Sequence, residues 1–155
     1  MTKISGKVLW GALFTLFSFA VITSQAKAAA PSATNLSAAE TYTEDTSLNL
    51  IDIVVTDGDS LSVTATLTLS SVAVGSLTTG TSGAVTSTYN AGTGVWTASG
   101  ALASVNTLLA GVSFIPANNV NTSFTIATSV SDGAESVTGT KPMTGIAVND
   151  APHCN

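Results

Sequence analysis

From Leu61 to Ser70 the chain alternates without a lapse. Leu61, Val63, Ala65, Leu67 and Leu69 are apolar, and Ser62, Thr64, Thr66, Thr68 and Ser70 carry hydroxyls. Successive side chains of a strand point to opposite faces, so this period of two predicts a pleated strand with one face on a core and the other in water. Wound as a helix, the same residues would spread leucine and threonine around the whole circumference and leave no apolar stripe to bury. The segment therefore commits its part of the chain to a sheet.

Other segments follow the same logic. Thr122 to Ser131 alternates with Phe124, Ile126 and Val130 on one side, and Ser47 to Thr56 reads as a more apolar strand. Val85 to Tyr89 and Val95 to Ser99 flank Asn90-Ala91-Gly92-Thr93-Gly94, a hairpin-loop composition. A first strand is expected near Thr41 to Glu44 and a last from Met143 to Val148. The abundance of threonine and valine suits strands, because β-branched side chains pack well on a pleated surface. One segment departs from the pattern. Val105, Leu108, Leu109 and Val112 fall at helical spacing, with Ser104 as a candidate N-cap, Gly111 as a stop and Pro116 blocking continuation. Seven strands, one short helix and no long crossover helices predict an all-β, seven-stranded sandwich.

The first 28 residues read differently. Met1 to Lys7 holds two lysines and no acid, Val8 to Ile22 is uncharged, and Ala26-Lys27-Ala28 places small residues at −3 and −1. This is the pattern of a cleavable signal peptide, with cleavage after Ala28. The apolar run is shorter than the ~20 residues that span a bilayer, so no stable membrane anchor is expected after processing. The expected organisation is a leader over 1–28, one domain over 29–152 and a short tail over 153–155, in a secreted protein, extracellular or periplasmic.

Removal of the leader takes Lys3, Lys7 and Lys27 with it and leaves Lys141 against nine acids, a formal net charge of −8 in a chain without arginine. Nucleic acid and anionic lipid are thereby excluded as partners, since phosphate binding needs clustered lysine and arginine. A divalent cation is favoured instead. The single cysteine, Cys154, precludes an internal disulfide and leaves a thiol able to pair between molecules.

The acids concentrate where strands end. Asp57-Gly58-Asp59 follows one predicted strand, Asp132-Gly133 follows another, Glu44-Asp45 lies at the first strand, and Asn149-Asp150 closes the domain. In a sandwich of alternating strand directions the second and sixth strands run the same way. Asp57, Asp59 and Asp132 would then meet at one end, with Glu44, Asn149 and Asp150 at the other. Calcium, which accepts six to eight oxygen ligands in irregular loops, is the natural partner of such a cluster. The alternative is that each Asp-Gly pair simply shapes its own turn.

The stretches TYTEDTSLNLIDIVVTDGDS (41–60), SVNTLLAGVSFIPANNVNTSFTIATSVSDG (104–133) and IAVNDAP (146–152) resemble one cadherin-like repeat, with its Ig-like sandwich, from large bacterial surface adhesins. The resemblance spans nearly the whole mature chain. It implies calcium at the junctions between successive repeats, with Asp57 and Asp59 matching the family's D-x-D, Asp132 its later single Asp, Glu44 the acid beside the first strand and Asn149-Asp150 the linker ligands. It implies neighbouring repeats, cell-surface proteins or glycans as partners. One repeat supplies half of each junction, so calcium binding is expected to be weak, at ~10⁻⁴–10⁻³ M or above.

The expected role is non-catalytic: adhesion or spacing at the cell surface. Two other readings remain. Tyr89 and Trp96 beside the hairpin loop suit a carbohydrate-binding platform, although core or cross-strand packing is the commoner use of such rings. Asp57 and Asp132 could serve a carboxylate-based glycosidase. Against catalysis, the only histidine, His153, lies beside Cys154 in the tail, two adjacent ligands do not make a metal site, and no nucleophile or zinc motif is present.

Overall fold

The computed structural model describes residues 28–149. The expected leader up to Lys27, and Asp150, His153 and Cys154 at the other end, lie outside the described residues. Within them run β1 (Ser32–Ala33), β2 (Glu40–Thr43), β3 (Leu48–Asn49), β4 (Val55–Thr56), β5 (Ser62–Leu69), β6 (Gly75–Leu77), β7 (Thr81–Ser82), β8 (Val85–Thr86), β9 (Thr88–Asn90) and β10 (Val95–Ala101). The single α-helix, α1 (Leu102–Ala110), follows, and then β11 (Ser113–Pro116), β12 (Phe124–Ser131) and β13 (Ser136–Ile146). The domain is mostly β with one short helix.

Six strands form the largest sheet in the order β2-β13-β12-β5-β10-β9, and β3-β11-β6 form a second. Two short ladders, β1-β4 and β7-β8, complete the pairing. All pairs are antiparallel except β2 with β13, which is parallel with Glu40 opposite Met143 and Thr43 opposite Ile146.

The alternation of apolar and hydroxyl residues between Leu61 and Ser70 is realised in β5. Val63, Ala65, Leu67 and Leu69 are buried while the intervening hydroxyl residues are not. Burial of each valine or leucine side chain of this set contributes roughly 1.5–3 kcal/mol. Leu61 is the exception: it precedes the strand and is 89% exposed, and its carbonyl accepts the N–H of Leu102 at the start of α1. In β12, Phe124, Ile126 and Val130 share the buried face with Thr128, whose hydroxyl donates to the Leu36 carbonyl at 2.9 Å. That bond lets a polar group occupy the core. Tyr42 of β2, Phe114 of β11 and Phe124 of β12 meet with ring centroids 4.8–5.7 Å apart, joining the six-stranded sheet to the three-stranded one.

The expected count of seven strands is not what the backbone forms. Ser47 to Thr56 splits into β3 and β4, because the donors between them go elsewhere. Leu50 N–H bonds Val112 O, Ile51 N–H a Glu40 carboxylate oxygen and Val54 N–H the Thr34 hydroxyl oxygen. Leu50, Ile53 and Val55 are buried, a spacing that breaks the period of two. Val85 to Tyr89 likewise splits at Ser87, whose backbone and hydroxyl both bond Gly80. The last strand begins at Ser136 rather than Met143 and pairs with β12 from Ser136 to Met143.

Helix α1 starts two residues before the expected cap. Ala101 holds the N-cap position without a side-chain bond, and Gly111 closes the helix as predicted, its N–H reaching Leu108 O at 3.1 Å. The Asn90–Gly94 loop joins β9 to β10 as read, with Asn90 O accepting from Thr93 and Gly94, the latter at φ 70°.

Candidate metal centre

Register explains why three aspartates converge. β12 lies antiparallel to β5 with Ser131 opposite Thr64, so Asp132 at the end of β12 comes to the start of β5. The residues leading into β5 are Asp57-Gly58-Asp59-Ser60, which descend from β4. Oxygens of Asp57, Asp59 and Asp132 accordingly lie within 4.8 Å of one another. Two oxygens bound to one calcium at ~2.3–2.6 Å are at most about 5 Å apart, so this spread fits a single ion. Like charges at this separation repel one another, and a cation held between them relieves that repulsion.

Each carboxylate is oriented by its own turn. Asp57 Oδ1 accepts the N–H groups of Asp59 (3.0 Å) and Ser60 (2.9 Å). These two bonds, outweighing partial desolvation, hold the Asp57 carboxyl below the usual carboxylate range. Its other oxygen, Oδ2, is closed to solvent and has no hydrogen-bond partner. Asp132 Oδ1 accepts the N–H groups of Ala134 and Glu135, both at 2.7 Å, across a turn in which Gly133 takes φ 97°. Asp59 is exposed, and its Oδ2 accepts the N–H of Ala29 at 2.8 Å. Turn formation and metal ligation are thus compatible here. One oxygen of Asp57 and one of Asp132 shape the loops, and the second oxygen of each can ligate. Three side chains leave calcium at least three further ligands short, to be met by carbonyls or water.

Glu44 is placed differently. It is buried, one carboxylate oxygen accepting the Asn121 side-chain amide at 2.9 Å and the other the N–H of Val148. Its own N–H bonds Ile146 O. The expected neighbourhood of Glu44 with the C-terminal segment is therefore present, but both oxygens already serve the fold. Asn149 is exposed, and Asp150 lies outside the described residues.

The two aromatic candidates turn inward. Trp96 is wholly buried, its Nε1 donating to Thr78 O at 3.0 Å, and it lies across the ladder from Tyr89. Tyr89 is half-buried, with its hydroxyl on Gly75 O at 3.3 Å, and burial raises its pKa. Packing, the commoner use, is the one these rings have. A small cavity of about 110 Å³, bordered by Thr78, Thr81, Ser87 and Thr107, contains no carboxylate.

Sequence reasoning missed one polar cluster. Lys141 is fully buried, its Nζ 2.8 Å from Glu40 Oε1 and 3.1 Å from Asn35 O. No conventionally angled hydrogen bond reaches Glu40 Oε1, so that contact is chiefly ionic. The clue available was arithmetic: a lone lysine amid nine acids is more apt to be paired than scattered. With Lys141 inside, the surface of the described residues presents no lysine or arginine. Among these residues no helix is long and apolar enough to cross a membrane. Comparison with protein-family models, with curated proteins and with solved structures finds no match for this chain.

Proposed function

We propose that the chain is a secreted, non-catalytic, cadherin-like β-sandwich module for adhesion or cell-surface spacing, which binds calcium weakly through Asp57, Asp59 and Asp132. The observation that carries this reading is the convergence of those three carboxylates from two loops distant in sequence. The unpartnered Asp57 Oδ2 supports it, because a buried carboxylate oxygen without a donor is stabilised by a cation. Glu44, Asn149 and Asp150 belong in this reading to a second, junctional site that a neighbouring repeat or cell-surface partner would complete. The leader-like N-terminus and the acidic surface suit an extracellular or periplasmic location.

Two further observations weigh against the other readings. Burial of Trp96 removes the larger ring of a sugar-stacking platform. Asp57 and Asp132 sit on turns that consume one oxygen of each, and the cavity described above carries no acid. Isothermal titration with calcium, paired with thermal melts in calcium and in chelator, tests the proposal. Binding with a raised melting temperature is expected, and superimposable melts with no heat of binding would remove calcium from the account.

A further inference from the structure

β1 runs antiparallel to β4 with Ser32 opposite Thr56 and Ala33 opposite Val55. On one side the ladder continues through the N–H of Thr34, which bonds Val54 O at 3.0 Å. Carried the other way, the same register sets Ala29 opposite Asp59, and there the Ala29 nitrogen donates to Asp59 Oδ2 at 2.8 Å. The contact lies beyond the last ladder pair, Ser32–Thr56, as a backbone-to-carboxylate bond, and it ends on one member of the aspartate trio. Beside it the Asp57 Oδ2 atom is closed to solvent and lacks a donor. In the sequence, the bond between Ala28 and Ala29 is the one that the Ala26-Lys27-Ala28 pattern marks for cleavage. The nitrogen that meets Asp59 is therefore the nitrogen that such cleavage would release.

We propose that cleavage after Ala28 completes this site: the freed α-ammonium of Ala29 forms an ion pair with Asp59, serves as the trio's own counter-ion and fastens β1 along β4. The inference rests on the leader reading of residues 1–28. A leader peptidase hydrolyses the Ala28–Ala29 peptide bond with one water, leaving a carboxylate on Ala28 and an ammonium on Ala29. An amide with one N–H becomes a cation with three donors, and its bond to Asp59 becomes charge-assisted. Its acceptor Asp59 belongs with Asp57 and Asp132 to one cluster of carboxylates, so the charge is welcome where it arises. A divalent ion would seek the same oxygens, and the N-terminus and calcium then compete for one place.

The chemistry of the mature chain makes the test clean. After cleavage its amines are the Ala29 α-amine and Lys141, and Lys141 is buried against Glu40. Mild acetylation of the folded, exported protein will therefore modify the N-terminus alone, as a single acetyl group by mass. The full chain is expressed with its leader, the exported product is sequenced from its N-terminus, and melts are recorded in chelator at low salt with and without acetylation. The expected product begins at Ala29. Acetylation is expected to lower its melting temperature by about 2 °C, the scale of an exposed ion pair in a domain of this size. The same treatment leaves Asp59→Asn unmoved, while Asp52→Asn, at another exposed acid, responds like the unaltered chain. High salt abolishes the acetylation effect in the unaltered chain. Equal displacement in the unaltered chain and Asp59→Asn, or none in either, overturns the ion pair. A product beginning at another residue overturns the leader reading itself, a failure distinguishable by sequencing alone.

Discussion

Lys141 Nζ lies 2.8 Å from Glu40 Oε1 across the parallel β2–β13 edge, and both side chains are buried. Removing one partner of such a pair leaves an uncompensated buried charge and costs about 3–5 kcal/mol, whereas replacing both with apolar residues is often near neutral. Lys141→Met is therefore expected to lower the urea midpoint sharply. The double variant Glu40→Leu with Lys141→Met is expected to recover most of that loss. It will not recover all of it, because Glu40 also accepts the N–H of Ile51 in a part-buried bond whose loss costs about 1 kcal/mol. Equilibrium urea unfolding of the three chains at neutral pH checks the order.

Calcium should act through mass action. At 10 mM free calcium, a dissociation constant of ~10⁻⁴–10⁻³ M predicts stabilisation of about 1.4–2.7 kcal/mol, a rise of several degrees in melting temperature. Asp57→Asn and Asp132→Asn, which remove one ligand charge each while keeping an oxygen for the local turn, should each reduce that rise by more than half. Calorimetry with calcium against chelator measures it.

Tyr42 sets a limit at the alkaline side. Its ring is buried, its hydroxyl donates to Thr122 O at 2.7 Å, and desolvation first, with the nearby Glu44 carboxylate adding to it, raises its pKa above the ordinary 10. A tyrosine whose folded pKa is raised contributes stability that is fully present below its unfolded pKa and is lost as pH rises through the folded one. Stability should accordingly fall above about pH 10. Tyr42→Phe should be weaker by about 1–2 kcal/mol at neutral pH, having lost the bond to Thr122, yet flatter across the alkaline range. Denaturant melts from pH 8 to 11 would reveal an unchanged slope if this assignment is wrong.

Trp96 offers a direct optical check. On the leader reading Trp10 leaves with residues 1–28, and the one tryptophan among the described residues, Trp96, is wholly buried. Its emission should be blue-shifted, weakly quenched by acrylamide and unaltered by oligosaccharides. A saturable response to a sugar would restore the carbohydrate reading. Trp96→Ala should cost about 3–5 kcal/mol through cavity formation.

What could be read beforehand was whatever depends on local periodicity. The alternation of Val63 to Leu69, the helical spacing of Val105, Leu108 and Leu109, and the glycine stop at Gly111 each express a pattern contained within one element. The meeting of Asp57, Asp59 and Asp132 was also legible, since acids placed just after strands must lie at sheet ends. What stayed hidden were contacts set by partners far along the chain. Leu50 to Val54 looked like a strand, and only Glu40, Thr34 and Val112 divert its backbone donors. The first half of β13, Ser136 to Pro142, carries glycine, threonine and a lysine instead of an apolar alternation, so its pairing with β12 left no periodic trace. Gly145 shows the same dependence on distant neighbours: a Cβ there would stand 2.3 Å from the Asn121 carbonyl oxygen.

The parallel pairing of Glu40–Thr43 with Met143–Ile146 has a mechanical meaning. Two neighbouring strands that point the same way deliver the incoming chain and the outgoing chain to opposite extremities. Tension between those extremities slides one strand along the other, and the rungs of that edge share the strain at once instead of peeling apart in turn. A unit threaded in this manner transmits pull along its length and yields abruptly, late and as a whole.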